Sequence, residues 1–332
     1  MSGTGTRDHV VIRSYLGPGD ERSLADDVLD GLTRPFKEIP PKHFWDARGA
    51  ELFDRICALD EYYPTRAERA ILERRAPDLV GGAAELVEPG SGTAAKTRLL
   101  LRAMADGGTL RRYVPLDVTE SMVRTTAAEL VDELPGLRVH GIVGDFERHL
   151  RHVPAAGDGP RIVAFLGGTI GNFPPGSRRR LLRRMGALLR PGSDDRLLLG
   201  TDLVKDPAVL EAAYNDAEGL TAEFNLNLLH VLNRELDADF DVGGFEHVAF
   251  YDHEREWIEL RLRATRAMDV HIAGLGLDVA FAAREEMRTE LSAKFTRERL
   301  AADLAAAGLT LMDVLTDPGD RFALSLSART DG

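Results

Sequence analysis

Acidic residues follow three successive apolar runs of the chain. Glu88 ends the run "ELVE" and is followed by glycines at Gly90 and Gly92. Asp117 ends "YVPLDV", and the pair Asp145–Phe146 follows "RVHGIV". A carboxylate after the second run suits the two hydroxyls of a ribose, because each hydroxyl can donate a hydrogen bond. An acid beside an aromatic ring after the third run can bind and cover an adenine, so these residues together predict a nucleoside site.

The stretch "LVEPGSGTAAKT", which carries the glycines, is compatible with three kinds of turn. Gly90 and the pair Lys96–Thr97 have the spacing of a P-loop, but Ala95 stands where its second glycine belongs. Ala95 likewise takes the third glycine position of a dinucleotide-binding turn. The ordered acids after three strands are typical of S-adenosylmethionine-dependent methyltransferases and account for more residues. A P-loop ATPase is kept as the alternative from another class.

Short apolar runs alternate with helical patterns from about residue 85 to 204, which predicts βαβ units and a doubly wound parallel sheet. The stretch 258–264 alternates apolar and charged residues, as a half-buried antiparallel strand does. A final helix and two strands could complete the first sheet. Thr65 and Glu68 have capping-box spacing, which predicts a helix start. We therefore predict an α/β methyltransferase domain at 70–204 plus 295–330, and a second, substrate-binding domain at 15–69 plus 205–294.

Composition limits the partners and the compartment. The formal net charge is -12, which disfavours nucleic acid, and the arginine-rich segment 178–184 is expected to be a solvated helix face. Cys57 is the single cysteine, expected as a buried core thiol, so an internal disulfide is impossible and a reducing compartment is natural. The N-terminus lacks an apolar signal core, and no run approaches the ~18 apolar residues of a membrane helix. We expect a cytoplasmic monomer that acts on a small molecule, with no membrane partner.

Four longer motifs carry a resemblance to a known family. They are "EYYPTRAE", "FLGGTIGNF", "GTDLVKD" and "TELSAKF". Together they resemble the histidine-specific Nα-methyltransferases of ergothioneine biosynthesis, over about residues 24–326. Those enzymes trimethylate the α-amine of histidine to give hercynine, and the wider family includes fungal enzymes that methylate prenylated tryptophan. The resemblance implies a Rossmann-like class I methyltransferase sheet with a second α+β domain, and S-adenosylmethionine as the cofactor.

The same resemblance implies roles for individual residues. The predicted cofactor site consists of Glu88, Gly90, Lys96, Asp117, Asp145 and Phe146, with Lys96 facing the methionine carboxylate. The predicted amino-acid site consists of Trp45, Tyr62, Asn172, Tyr214, Leu260, Glu290 and Ser292. Tyr62, Asn172 and Tyr214 are the catalytic candidates and could also hold the substrate carboxylate. Glu290 could accept a hydrogen bond from an imidazole N–H, and no metal is required.

Three positions depart from the family pattern. Pro89 replaces a leucine beside the glycine turn, Trp45 replaces a tyrosine near the amino acid, and Leu260 replaces a methionine near the side-chain pocket. A changed pocket could favour tryptophan or tyrosine, methylated at the same nitrogen, or stop at one or two methyl groups. A catalytically silent S-adenosylmethionine-binding protein is a further alternative. We predict histidine, because burying the Glu290 carboxylate against an apolar ring would be costly.

Overall fold

The computed structural model describes residues 9–17 and 23–330. Residues 1–8, 18–22 and 331–332 lie outside this part, and with them most of the N-terminal segment examined for a signal core and a few residues of the predicted second domain. The strands are β1 (Val10–Ser14), β2 (Lys37–Glu38), β3 (Glu85–Pro89), β4 (Arg112–Asp117), β5 (Arg138–Val143), β6 (Arg161–Phe165), β7 (Arg196–Asp202), β8 (Phe245–Asp252), β9 (Trp257–Ala264), β10 (Met268–Ile272), β11 (Leu277–Phe281), β12 (Glu286–Ala293), β13 (Leu309–Thr316) and β14 (Phe322–Arg329). The α-helices are α1 (Leu24–Leu32), α2 (Ala47–Ala58), α3 (Pro64–Val80), α4 (Thr97–Asp106), α5 (Glu120–Glu133), α6 (Phe146–His149), α7 (Pro175–Gly186), α8 (Pro207–Ala212), α9 (Leu220–Leu236) and α10 (Arg297–Ala305).

The larger sheet confirms the predicted α/β fold. Within the described residues it has eight strands in the order β1-β5-β4-β3-β6-β7-β14-β13. The strands from β1 to β7 in that order run parallel, whereas β14 and β13 are antiparallel. Every residue of β3 and β6 is buried, as expected for central strands covered by helices on both faces. The last two strands complete this sheet, as the sequence suggests.

The strand order reverses at β3. From β3 the chain adds β4 and then β5 on one side, and it returns to place β6 on the other side. Open α/β sheets bind ligands outside the carboxyl ends of their strands at such a point. The glycine turn follows β3, Asp117 ends β4, and Asp145 comes shortly after β5. The topology therefore gathers the three predicted acidic positions at one edge of the sheet.

A second sheet has the order β2-β12-β9-β8, and β10 pairs with β11 in a separate hairpin. The predicted antiparallel strand at 258–264 is β9, which lies between β8 and β12. The pairing of β12 with β9 shifts between Arg288 and Glu290, so Thr289 is an extra residue there. The Thr289 hydroxyl donates to Asn225 Oδ1 of α9 at 2.6 Å, and its oxygen lies 3.1 Å from the Leu260 carbonyl oxygen, which ties this bulge to α9. Such bulges redirect the side chains that follow them.

Side chains of the second sheet, α1, α2 and α9 form a hydrophobic core of their own, which includes Leu52, Phe224 and Met287. This core supports the predicted second domain. Its boundary at residue 69 falls inside the continuous helix α3, and Leu260 packs in a core shared with the larger sheet. The division into two domains stays a proposal.

Some local predictions are corrected by the structure. Strand β1, which pairs in parallel with β5, has no counterpart in the sequence-based prediction. Helix α3 does begin near Thr65, but no side chain caps it, and Glu68 is fully buried instead. Arg178 does not lie on a solvated face: it is buried, and its Nε donates to Asp303 Oδ2 at 2.8 Å.

Candidate active site

The glycine turn after β3 is tied to the neighbouring strand. Gly90 and Gly92 have φ of +71° and +48°, a left-handed conformation that glycine adopts without strain. The Gly90 N–H donates to the Leu116 carbonyl at 2.7 Å, and the Gly92 N–H donates to Asp117 Oδ2 at 2.9 Å. A Cβ at Gly90 would lie 3.7 Å from the Phe146 ring. The turn and that ring therefore border the same space.

Asp117 is held in place at the end of β4. Its Oδ1 accepts the Thr119 N–H at 2.9 Å, and its Oδ2 accepts the Gly92 N–H. Each carboxylate oxygen has a second lone pair. Asp117 can therefore still accept two hydroxyl donors, which is what the predicted ribose contact requires.

Asp145 and Phe146 lie at the start of α6. Asp145 caps this helix, because its Oδ1 accepts the Glu147 N–H at 2.7 Å. The Asp145 N–H donates to His149 Nδ1 at 2.9 Å, so the buried imidazole helps to fix the turn. The Phe146 ring packs edge-on against Phe165 with 5.4 Å between ring centroids. The aromatic ring is thereby fixed beside the glycine turn.

Lys96 has a partner that the sequence did not reveal. Its ammonium pairs with the carboxylate of the fully buried Glu68. Glu68 Oε1 also accepts the Gly167 N–H at 2.8 Å, which joins α3 to the loop after β6. A Cβ at Gly200 would lie 2.3 Å from Glu68 Oε1, so glycine leaves the room that this carboxylate occupies. The predicted contact of Lys96 with the methionine carboxylate stays a proposal.

Glu88 is enclosed by protein groups. It accepts hydrogen bonds from the hydroxyls of Thr97 and Tyr113. Burial raises the pKa of the Glu88 carboxyl to about 7, against the lowering effect of these two donors. These hydrogen bonds join β3 to α4 and β4, and so they stabilise the position of the glycine turn between β3 and α4. Direct cofactor contact by Glu88 stays a prediction.

These residues fit S-adenosylmethionine on their donor and acceptor chemistry. Gly90 and Gly92 present backbone without side chains, Asp117 offers acceptors for ribose hydroxyls, and Phe146 offers an aromatic face for adenine. The acids also suit a cationic sulfonium compound. A P-loop fits less well, because Ala95 stands where its second glycine belongs.

Tyr62, Tyr214 and Ser292 of the predicted amino-acid site lie together. The rings of Tyr62 and Tyr214 meet edge-on with 6.1 Å between centroids. The Tyr214 hydroxyl lies 2.9 Å from Ser292 Oγ. Burial raises the pKa of both tyrosines, so both remain phenols near neutral pH. They can donate hydrogen bonds, but neither is a ready base.

Glu290 lies on β12, two residues before Ser292 and opposite Leu260. Its negative charge contributes to the raised pKa of Tyr62 and of Tyr214. Burial raises the pKa of the Glu290 carboxyl to about 7, although the Lys294 charge opposes this. Among the described residues this carboxylate has no hydrogen-bond partner. A desolvated carboxylate without a donor is costly, so this position favours a ligand with an N–H.

Asn172 is brought to the same strand by the loop after β6. It ends the 3₁₀ turn Thr169–Asn172. A Cβ at Gly171 would lie 2.9 Å from the Ala293 carbonyl oxygen, so the turn packs closely on the end of β12. Within residues 9–17 and 23–330 the Asn172 amide makes no hydrogen bond. It is available to a ligand.

Trp45 and Leu260, the two predicted departures from the family pattern near the amino acid, lie in different surroundings. Trp45 is 55 % exposed, and its ring packs edge-on against Phe53 with 5.0 Å between centroids. Phe53 in turn packs against Tyr62 at 5.8 Å. The ring of Phe53 therefore lies between Trp45 and Tyr62. Leu260 is buried in the core opposite Glu290.

Sequence reasoning missed a buried charged cluster behind Tyr214. The fully buried Lys294 ammonium lies 2.8 Å from Asp202 Oδ2. Asp202 also pairs with Lys205 at 2.7 Å and accepts the Tyr63 hydroxyl at 2.8 Å. Burial raises the pKa of Asp202, but the two lysines outweigh this and lower it overall. The available signal was the alternation of Glu290, Ser292 and Lys294 in "ELSAK", which places all three on one face of an extended segment.

No helix in the described part of the chain is long and apolar enough to cross a membrane.

Comparison with known proteins gives a consistent picture. A family described as "Histidine-specific methyltransferase, SAM-dependent" matches residues 24–329. The histidine N-alpha-methyltransferase of Mycolicibacterium smegmatis is 50% identical over 309 residues, covering 92% of this chain and 95% of that protein. The protein with the same description from Mycobacterium tuberculosis is 47% identical over 323 residues, covering 96% and 99%. Ergothioneine biosynthesis protein 1 of Neurospora crassa is 28% identical over 300 residues, covering 89% of this chain and 33% of that protein.

Proposed function

The chain belongs to the family of histidine-specific, S-adenosylmethionine-dependent methyltransferases, and we propose that it methylates the α-amine of L-histidine. The product is Nα,Nα,Nα-trimethylhistidine, or hercynine. Glu290 carries the choice of histidine: its carboxylate is partly buried and accepts no hydrogen bond from the described residues. An imidazole N–H supplies a donor.

S-adenosylmethionine supplies the methyl group as an electrophile. Asp117 would accept the ribose hydroxyls, and Phe146 together with Asp145 would hold the adenine. Gly90 and Gly92 let the backbone approach the ligand closely, since neither residue has a side chain. Lys96 lies at the same edge and can pair with the methionine carboxylate.

The α-amine must reach the methyl group as a free base, although such amines are mostly protonated at neutral pH, with a pKa of about 8. Tyr62 and Tyr214 are phenols with raised pKa values, so they orient the substrate and do not take the proton. The Asn172 amide oxygen can accept an amine N–H and so fix the direction of the lone pair. The amine loses its proton to solvent, and alignment by these side chains supplies most of the rate.

Incubation of the protein with S-adenosylmethionine and each of histidine, tryptophan and tyrosine tests this function. Mass spectrometry should show histidine gaining three methyl groups and the other amino acids gaining few or none. Methylation of tryptophan or tyrosine instead would assign the acceptor differently, and accumulation of mono- or dimethylhistidine would correct the product. The absence of any methylated product would refute the enzyme. ATP turnover would revive the P-loop alternative.

We further propose that the enzyme acts as a cytoplasmic monomer without a nucleic-acid or membrane partner. The net charge of -12 and the single cysteine support this. Size-exclusion chromatography with light scattering measures the oligomeric state directly.

A further inference from the structure

Lys294 is a buried cation whose hydrogen-bonding capacity is fully used. A lysine ammonium has three N–H donors and no acceptor. Lys294 Nζ lies 2.8 Å from Asp202 Oδ2, 3.0 Å from the Tyr214 hydroxyl oxygen and 2.9 Å from Ser292 Oγ. Burial lowers its pKa, but Asp202 and the other partners outweigh this, so the net shift is upward and the ammonium stays charged. Each of its three partners therefore receives one N–H.

The direction of the two hydroxyl protons follows from this arrangement. Tyr214 and Ser292 both accept from Lys294, so neither can point its own proton at the ammonium. Their oxygens lie 2.9 Å apart, and one hydroxyl donates to the other. That contact uses one of the two protons. In the described part of the chain the other proton has no acceptor.

The Lys294 ammonium bonded to this hydroxyl pair favours an anion as the acceptor of the free O–H. One carboxylate, Asp202, faces two ammonium groups, those of Lys294 and Lys205. Burial lowers the pKa of Lys205 to about 8, so it too is mostly charged at neutral pH. The Tyr63 hydroxyl that completes the cluster is neutral, because burial and Asp202 raise its pKa. Because the Lys294 ammonium donates directly to both hydroxyls, it polarises them, and a hydroxyl polarised in this way donates more strongly to a carboxylate than to a neutral acceptor.

We propose that Lys294 is a positioning residue that turns the Tyr214–Ser292 hydroxyl pair into a donor for the carboxylate of the amino-acid substrate. This rests on the proposed function, which supplies the substrate. Lys294 does not touch the substrate itself. It fixes which way the hydroxyl protons point, and its charge strengthens the remaining donor.

The test compares histidine with histidinamide, in which a neutral carboxamide replaces the carboxylate. Dissociation constants are measured by calorimetry with S-adenosylhomocysteine present, for the native chain and for Lys294→Met. The native chain should prefer histidine. The variant should lose at least about tenfold in histidine affinity, the size of one charge-assisted hydrogen bond, and bind histidinamide almost unchanged. In turnover the variant should raise KM for histidine while kcat changes little.

Lys205→Met is the matched control, since Lys205 also pairs with Asp202 but does not contact Tyr214 or Ser292. It should retain the preference for histidine. If Lys294→Met fails to fold because Asp202 loses one of its two ammonium partners, Lys294→Met with Asp202→Asn removes that carboxylate charge. Tyr214→Phe with Ser292→Ala, which deletes both hydroxyls, should lose the same preference.

An equal loss of affinity for both ligands in the Lys294 variant would overturn the proposal, as would a native chain that binds both equally. If the native chain methylates histidine but Lys294→Met keeps the native preference for histidine over histidinamide, only the proposed role of Lys294 is refuted. A native chain inactive on histidine refutes the proposed function instead.

Discussion

Glu290→Gln should make the ligand-free protein more stable at alkaline pH and less selective for histidine. The Glu290 carboxyl has a pKa raised by burial to about 7 from an ordinary value of 4.5. Its ionised form is therefore disfavoured in the folded protein. Glutamine has nearly the same shape and does not ionise, so the exchange removes this penalty with little change in packing.

The size and sign of the effect follow from proton linkage. Below about pH 4.5 the Glu290 carboxyl is protonated in both the folded and the unfolded chain, so its burial does not lower the free energy of unfolding there. Between the unfolded and folded pKa values the native chain loses stability as pH rises, at about 1.36 kcal/mol for each pH unit. Above about pH 7 the penalty is complete, at up to about 3 kcal/mol. Glu290→Gln should therefore match the native chain near pH 4 and exceed it by 2 to 3 kcal/mol, in round figures, near pH 8.

Urea unfolding at several pH values, followed by tryptophan fluorescence and circular dichroism, measures this difference. The difference in unfolding free energy between the two proteins reports on Glu290 alone. Burial also raises the pKa of Glu88 to about 7, but Glu88 is present in both proteins and its effect cancels. At pH 8, added histidine should reduce the difference in unfolding free energy between the variant and the native chain, since its N–H donates to the Glu290 carboxylate of the native chain. The variant should also lose discrimination between histidine and tryptophan in turnover.

A stability difference that stays constant from pH 4 to pH 8 would refute the reasoning, because the carboxyl would then not titrate in the way its burial implies. A variant that is less stable at every pH would mean that Glu290 has a donor in the free protein. An unchanged ratio of histidine to tryptophan rates would refute its role in selecting the substrate.

Three further variants test other parts of the site. Asp117→Ala should raise the dissociation constant of S-adenosylmethionine about tenfold or more, through the lost acceptors for the ribose; unchanged binding by calorimetry would contradict the ribose contact. Glu68→Gln should lower the unfolding free energy by about 1–3 kcal/mol, because it breaks the ion pair with Lys96; an unaltered melting temperature would contradict this. Gly171→Ala should reduce kcat/KM for histidine, since its Cβ would lie 2.9 Å from a carbonyl oxygen of β12 and displace Asn172; activity equal to that of the native chain would show that the loop yields without moving the amide.

The larger sheet was predictable because its evidence is local. The runs that became β3 to β7 are short, apolar and separated by helical patterns, and buried parallel strands have this signature. The acids at their ends needed only the rule that carboxyl ends of parallel strands share an edge. Strand β1 was not predicted because its apolar run is only three residues long and because it lies at the sheet edge with a half-exposed pattern.

The buried charges were not predictable because their partners are distant in sequence. Lys294 meets a tyrosine 80 residues earlier, and Glu68 meets Lys96 28 residues later and Gly167 99 residues later. Composition and periodicity carry no information on which of many lysines will be buried against which acid. Glu68 even gave a misleading local signal, since its spacing from Thr65 is that of a helix cap. Only the folded path of the chain distinguishes a cap from a buried ion pair.

On the proposed function, the two predicted departures from the family pattern, Trp45 and Leu260, affect the shape of the pocket and leave Glu290 in place. Trp45 lies at the exposed end of a row of rings and reaches Tyr62 only through Phe53. Leu260 is an apolar core residue opposite Glu290, so its exchange for methionine changes volume and adds no polar group. Neither supplies a donor to the Glu290 carboxylate. Since a carboxylate without a donor is costly to bury, we propose that the free energy of substrate selection lies at Glu290, and that Trp45 and Leu260 adjust only how closely the substrate ring fits beside it.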